Sequence, residues 1–404
     1  MSTEDQKDLT FDSDDSLRKP VSQSKLIWKR FKRHKLGVLG AAIIVLMIFV
    51  FLFAEFFAPY DYLKHHSTLS FVSPMIDHVK FEGLKAYVCE LEPVQRKITM
   101  GNREYPLPGV IDYPIYDCSD DPERKHYLKF FAKGDDYKLL GLIPWDVHLF
   151  GTGEHPQSHG QFFLLGTDTY GQDLFSNIIY GGRITLGIAP MVILVSFLLG
   201  TFFGGLSGFL GGTADNFIQR IVEIFMSLPR LALLLAIMGV LTYMGYIPPM
   251  MRFWSIVGLL AIISWAPLAR VIRGQFLSLR EQEFTQAARA LGAGNTRIIF
   301  RQIMPNIMSY LVVAATLAIP DIIILESILS FVNYGIMHPL VSWGKLLNAL
   351  QGQGFNLHAS YHIWLMTPAV FIVLAVLSFN FLGDALRDAL DPFAVSGVKE
   401  DYHV

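Results

Sequence analysis

Six stretches of the chain lose their polar positions for long enough to cross a bilayer. A hydrocarbon core takes roughly 20 predominantly apolar residues per helix. The first run, 36–57, contains the unbroken segment Gly40 to Val50 and has a single carboxylate, Glu55, near its far end. It begins too late, runs too long and lacks the small-residue site expected of a cleaved signal peptide. The remaining spans are expected near 186–206, 220–242, 254–272, 309–331 and 363–382. The 186–206 run is rich in glycine, as in helices that pack closely in lipid. Trp265 and Pro267 fall inside 254–272, and the last run passes Asn380 into a charged tail.

The longest gap between runs, 58–185, has another pattern. Pro106, Pro108, Pro114 and Pro122 limit helix length there. Tyr127–Phe131 and Tyr137–Leu140 read as short strands. A small cap, irregular or β-rich, is expected. Towards its end Tyr170, Leu174, Phe175, Ile178 and Ile179 share one helical face. They predict a short amphipathic helix, capped by Asp168, ended by Gly181-Gly182, and lying on the membrane surface or packed on the cap. Residues 1–20 are polar, and Pro20 closes a segment that need not fold.

Composition agrees with a bilayer. Hydrophobic residues make up 52% and charged residues 17%, which is too apolar for a disordered chain and too poorly charged for an ordinary soluble domain. A net charge of −2 gives no electrostatic case for nucleic acid. Two cysteines exclude a disulfide-dense scaffold and a four-cysteine metal cluster. The pair His65-His66 has no clustered third ligand and reads as plain surface rather than metal.

The distribution of Lys and Arg supplies direction. Lys25, Lys29, Arg30, Lys32, Arg33 and Lys35 precede the first span, and Arg273, Arg280, Arg289, Arg297 and Arg301 lie in 273–308. The gaps 243–253 and 332–362 hold only Arg252 and Lys345. The positive-inside rule then puts both ends and 273–308 in the cytoplasm and 58–185 outside. Trp28 and Phe31 among the N-terminal charges suit an interfacial helix. Cys89 and Cys118 both fall in the outer segment, whose compartment permits a bridge; two buried thiols are the alternative.

The segment from Glu283 through Gln286, Ala287, Ala288 and Gly292 to Pro305 reads as two short helices joined at Gly292. Ala-Ala, three residues, Gly, then Pro thirteen residues on resembles the coupling motif of binding-protein-dependent ABC importer permeases. Gly166, Thr167, Asp168, Gly171, Asp173, Ser176, Tyr180-Gly181, Arg183 and Leu186 resemble the signature before the second helix in the second permease subunit of dipeptide and oligopeptide importers. Glu326, Leu329 to Phe331, and Trp343-Gly344 resemble its later signature. Asn380, Gly383-Asp384, Leu386 to Asp388 and Leu390 to Pro392 resemble its C-terminal end. The resemblance covers 25–57 and 163–392. Gln286 stands where the family usually has Glu, Gln172 where it has Arg, and Asn333 where it has Gly.

The resemblance implies an all-α membrane protein with a six-helix type I ABC importer fold and a large extracytoplasmic insertion between the first two spans. Its parts would be a cytoplasmic N-terminal region 1–35 with an interfacial segment, a first helix 36–57, a cap and outer interfacial helix 58–185, a five-helix core 186–382 including the coupling loop 273–308, and a cytoplasmic tail 383–404. It implies a bacterial inner-membrane subunit that does no covalent chemistry. A homologous permease, two ABC ATPases, an extracytoplasmic binding protein, a peptide and membrane lipid would be its partners. ATP and Mg would sit on the ATPases and no cofactor on this chain, which has no Gly-x-x-x-x-Gly-Lys-Ser/Thr motif. Asp321 and Glu326 are the pore or inter-helix candidates, with Glu326 also suited to holding an outer turn. Arg230 and Arg270 suit snorkelling to an interface. Nickel chelates, glycosides or antimicrobial peptides are alternative cargoes. A secondary transporter, receptor or assembly scaffold is the alternative class, and none of these explains the coupling motif.

Overall fold

Backbone in hydrocarbon must satisfy its own hydrogen bonds, so each apolar run is driven into helix. The computed structural model describes residues 23–65, 69–83, 85–89, 94–100, 103–112, 118, 124–153, 161–352 and 363–391. The N-terminal 22 residues, His66, Pro114, Asp120 to Pro122, and Pro392 onwards lie outside the described residues.

Helix α1 (Gln23–Arg33) leads into α2 (Lys35–Leu52) through His34, whose Nδ1 accepts the Gly37 amide at 3.0 Å and so caps the span. Phe31 of α1 is buried against Ala385 and Ala389 of the last helix, while Trp28 stays 58% exposed, stacked on Phe31 with Lys32 over its ring. A short α3 (Ala54–Phe57) follows.

Among the described residues the insertion holds seven strands, so the all-α expectation is corrected. Strands β1 (Lys80–Glu82), β2 (Lys85–Cys89) and β5 (Lys125–Tyr127) form an antiparallel sheet in the order β1-β2-β5. Strands β3 (Val94–Met100) and β4 (Arg103–Asp112) form one hairpin, and β6 (Lys129–Leu139) and β7 (Ile143–Gly151) another. The proline-rich stretch is therefore built from two-stranded pieces, for which helix is the disfavoured alternative. Cys89 at the end of β2 is disulfide-bonded to Cys118, with Cα atoms 5.6 Å apart. Val72, Met75, Val88, Phe162 and Phe163 form a separate small core, each buried side chain contributing about 1.5–3 kcal/mol. His148 on β7 ties the β6–β7 hairpin to the first span: Nδ1 lies 2.5 Å from the Ala58 carbonyl and Nε2 3.0 Å from that of Asp135.

Helix α4 (Leu174–Leu210) is continuous for 37 residues. It absorbs both the expected surface helix and the 186–206 span, and the break expected at Gly181-Gly182 does not exist. A Cβ on Gly182 would meet the Phe51 ring at 2.6 Å, so this residue serves close packing against α2 instead of chain reversal. Helix α5 (Gly212–Ser227) and α6 (Arg230–Tyr243) meet at an 82° bend, so the expected 220–242 span is a broken pair. Pro229 is the cause: it cannot donate to the helix and holds Leu228 extended at ψ 135°. Helix α7 (Pro249–Arg280) runs 32 residues. Then come α8 (Glu283–Ala290), the single turn α9 (Asn295–Arg297), a π-helical turn Ile298–Ile303, and α10 (Met304–Phe331). Helix α11 (Trp343–Gly352) precedes α12 (Thr367–Leu390), so 383–390, expected as tail, continues the last helix. Among the described residues five helices are long and apolar enough to cross a membrane, or six if α5 and α6 together make one span.

The central packing is α4 on α7. Gly200, Gly204 and Gly208 repeat every fourth residue along α4 and face Leu268, Ala269 and Arg273. A Cβ at Gly208 would sit 2.6 Å from the Arg273 carbonyl, so these backbones touch. Small residues at this spacing are how helices gain dispersion contact where lipid removes the hydrophobic drive.

Candidate functional site

The segment expected to couple is assembled from α7, α8 and the turn after it. Thr285, fully buried, donates to the Leu279 carbonyl at 2.8 Å, and Gln286 Nε2 donates to the Arg280 carbonyl at 3.2 Å. These bonds fix the corner between α7 and α8. Helix α8 ends when Gly292 turns left-handed at φ +80°. The Gly292 amide then donates to Arg289 O and the Ala293 amide to Ala288 O, both at 3.0 Å. That pair of bonds is the Schellman arrangement, which satisfies two carbonyls left over at the helix end. Beyond it Ile298, Ile303 and Ile307 are buried against Leu268, Ile272 and Phe276. The opposite surface is open: Leu291 is 89% exposed, Phe300 and Phe284 are exposed, and so are Gln286, Ala287 and Gly292. Pro305 stands in the first turn of α10, where its missing N–H costs nothing. The sequence-predicted residues Gln286, Ala287 and Ala288 thus lie within α8 and Gly292 in the turn that ends it, with Pro305 beyond α9 and the π-helical turn.

A second cluster surrounds the start of α4. Gly166 (φ +77°) and Gly171 (φ +70°) bracket a tight turn. Thr167 is fully buried, donating to Leu69 O at 2.6 Å and accepting the Val72 amide at 2.8 Å. Asp168 accepts the Tyr170 and Gln172 amides at 2.8 and 2.9 Å; it closes this turn and does not cap α4. The cap is Asp173, whose Oδ2 accepts from the amide and hydroxyl of Ser176 at 2.8 and 2.6 Å. Burial pushes the Asp173 carboxyl up to about 6, against these hydrogen bonds. Arg183 reaches across to α3 and grips Glu55 at 2.8 and 2.9 Å while donating to the Phe51 and Leu52 carbonyls.

The two carboxylates proposed for the pore part company. Glu326 is fully buried and accepts from Ser330 at 2.6 Å, with Thr185, Ser327 and Ser342 around it. Ser330 Oγ in turn accepts the Ile336 amide, so Glu326 holds the turn after α10. Asp321 is exposed on a groove of about 1100 Å³ shared with Arg30 and Arg387. His65 is exposed, its ring 5.9 Å from Tyr170 and 5.8 Å from His338.

Sequence reasoning did not foresee two ion pairs. Glu55 and Arg183 are 128 residues apart, and Asp215 and Arg273 58. Arg273 donates twice to Asp215 at 2.6 Å, and Ser207 also donates to that carboxylate, joining α4, α5 and α7. A carboxylate inside an apolar run was the only signal for the first pair; no spacing reveals the second.

Residues 200–395 match the family described as the binding-protein-dependent transport system inner membrane component, and 22–74 match the N-terminal TM domain of oligopeptide transport permease C. The dipeptide transport system permease protein DppC of Bacillus subtilis is 39% identical over 238 residues, 59% of this chain and 70% of the relative. The chain belongs to the binding-protein-dependent transport permease family. This permease is also 35% identical to the oligopeptide transport system permease protein OppC of Bacillus subtilis, over 64% of the chain and 77% of the relative. For OppC of Escherichia coli the figures are 39%, 58% and 72%. Among solved structures, the inward-facing MetNI methionine ABC transporter is 21% identical over 54% of this permease and 98% of that chain, with a TM-score of 0.42. Neither family match reaches residues 75–199, which include most of the β-containing insertion.

Proposed function

We propose that this permease forms half of the membrane pathway of an ATP-driven importer for dipeptides or oligopeptides. A homologous permease supplies the other half, two ATPases drive it, and an extracytoplasmic binding protein delivers the peptide. The orientation proposed has both ends and the α8–Gly292 turn in the cytoplasm and the insertion outside, which the Lys and Arg distribution supports. In this reading ATP and Mg reside on the ATPases and this chain does no covalent chemistry.

The observation that carries the coupling role is the α8–Gly292 turn. It is fixed to α7 on one side and exposes Leu291, Phe284 and Phe300 on the other. An apolar surface fixed to a span suits a partner whose movement must reach that span. Its docking on an ATPase would let closure of the ATPases displace α7, and through the glycine seam α4.

The test is reconstitution of the co-purified complex in vesicles, with peptide uptake and ATP hydrolysis measured together. ATP-dependent accumulation of a short peptide supports the reading. Uptake that persists without the ATPases overturns it in favour of a secondary transporter.

A further inference from the structure

Near the insertion-side ends of α7, α10 and α11 lie two cations without a counter-charge. Arg252 is 3% exposed, yet its guanidinium meets only neutral groups: Met337 Sδ at 2.8 Å, Thr242 Oγ1 at 3.1 Å and the Asn333 carbonyl at 3.2 Å. Its Nε has no hydrogen-bond partner among the described residues. Lys345, half-buried on α11, donates only to the amide oxygens of Asn333 and Asn348, at 2.9 and 3.3 Å. No carboxylate among the described residues pairs with either, and the stretch 353–362 that follows α11 contains no Asp or Glu at all. Burial, with the charge of Arg252, holds the Lys345 ammonium below its usual range. A buried charge without a partner is costly, so this arrangement calls for an anion.

The place for that anion is present. Lys345, Asn333 and Met337 form part of the wall of a cavity of about 1010 Å³, with Arg252 one residue layer behind. Among the described residues the one carboxylate in that wall is Asp168, whose Oδ1 accepts the amides of Tyr170 and Gln172 and which makes no ion pair with Lys345. Gln351 adds an exposed amide able to pair with a peptide backbone. The size is that of a small-ligand site.

We propose that Lys345, backed by Arg252, seats the free C-terminal carboxylate of a peptide in this cavity as it enters the pathway. The inference rests on the peptide reading above.

The test uses proteoliposomes of the complex that co-purifies with this chain, and compares uptake of trialanine with that of trialanine amide. Unaltered complex should prefer the free acid by at least about tenfold, since removing one member of a desolvated charge pair is costly. Lys345→Gln should collapse that preference to within about twofold, and Lys345→Arg should retain it. An unaltered complex that takes up both peptides equally, or a Lys345→Gln complex that keeps the preference, overturns the seat and leaves the peptide reading standing. Loss of the partner permease from the Lys345→Gln preparation, with recovery in Lys345→Arg, also overturns it, because the counter-charge is then a carboxylate of that partner. Uptake of neither peptide by the unaltered complex removes the peptide reading and the seat with it.

Discussion

Gly292 has open space around the position of a missing Cβ, so its requirement lies in the backbone and not in packing. At φ +80° a β-branched residue is strained by about 1–3 kcal/mol, whereas Asn tolerates the region. Gly292→Val should leave membrane insertion intact and uncouple ATP hydrolysis from uptake, and Gly292→Asn should keep most coupling. Full coupling in the Val variant, measured in vesicles, rejects the role of this turn. Asp173 gives a pH prediction. Its carboxyl is raised from 3.8 to about 6, so the folded turn binds more protons than the unfolded one in that window. Local stability is therefore greatest below 3.8 and falls as pH rises through about 6. Hydrogen exchange at the Ser176 amide, corrected for intrinsic rate, should be faster at pH 7 than at pH 5. Asp173→Asn should flatten that difference, and an unchanged slope would assign the effect to another group. Asn333 is a second backbone case: it adopts φ +69°, the left-handed region that Asn tolerates best after Gly.

At the level of elements, periodicity revealed the apolar runs but not how they bend. Hydropathy averages over a window, so α4 and its surface prelude looked like two helices separated by glycines, and the Pro229 break looked like one span. Both errors have the same origin: Gly and Pro act through backbone geometry and neighbours, which a hydropathy profile does not contain. The glycine stripe was legible as close packing, while its partner α7 was not. The Asp215–Arg273 pair tests the α5–α7 contact. Arg273→Met should lower thermal stability by about 1–3 kcal/mol by removing charge-assisted bonds to a carboxylate that is 8% exposed. Arg273→Lys should recover only part of this, because an ammonium cannot reproduce the two-pronged geometry. Full recovery in Arg273→Lys in a thermal melt would show that charge alone matters.

For the whole molecule, motifs spread along the chain made the family legible, because they fall in order at the start of α4, in α8 with its following turn, and at the end of α10. The insertion was legible only as a β-rich possibility, since its sheets are separate two- and three-stranded pieces and a long strand such as β6 buries almost none of its positions. Single cysteines at Lys138 and Arg289 should react with an impermeant thiol reagent from opposite faces of the membrane; labelling from the same face would reverse the proposed orientation. Cys89→Ser should loosen the insertion by about 2–4 kcal/mol, seen as faster proteolysis there while the spans stay intact; unchanged proteolysis would make the bridge dispensable. The length of α4 has a mechanical consequence. At ~1.5 Å per residue it is a rod of ~55 Å, nearly twice the ~30 Å of a bilayer core. One end is clasped by Trp343, whose indole donates to Ile178 O, and the other by Arg280, which donates to Gly208 O beside the coupling corner. A tilt of ~10° swings one end by ~10 Å relative to the other, so under the proposed coupling role a stroke delivered at the corner would arrive at the far clasp as leverage, with Pro190 the one interior joint at which the rod can flex.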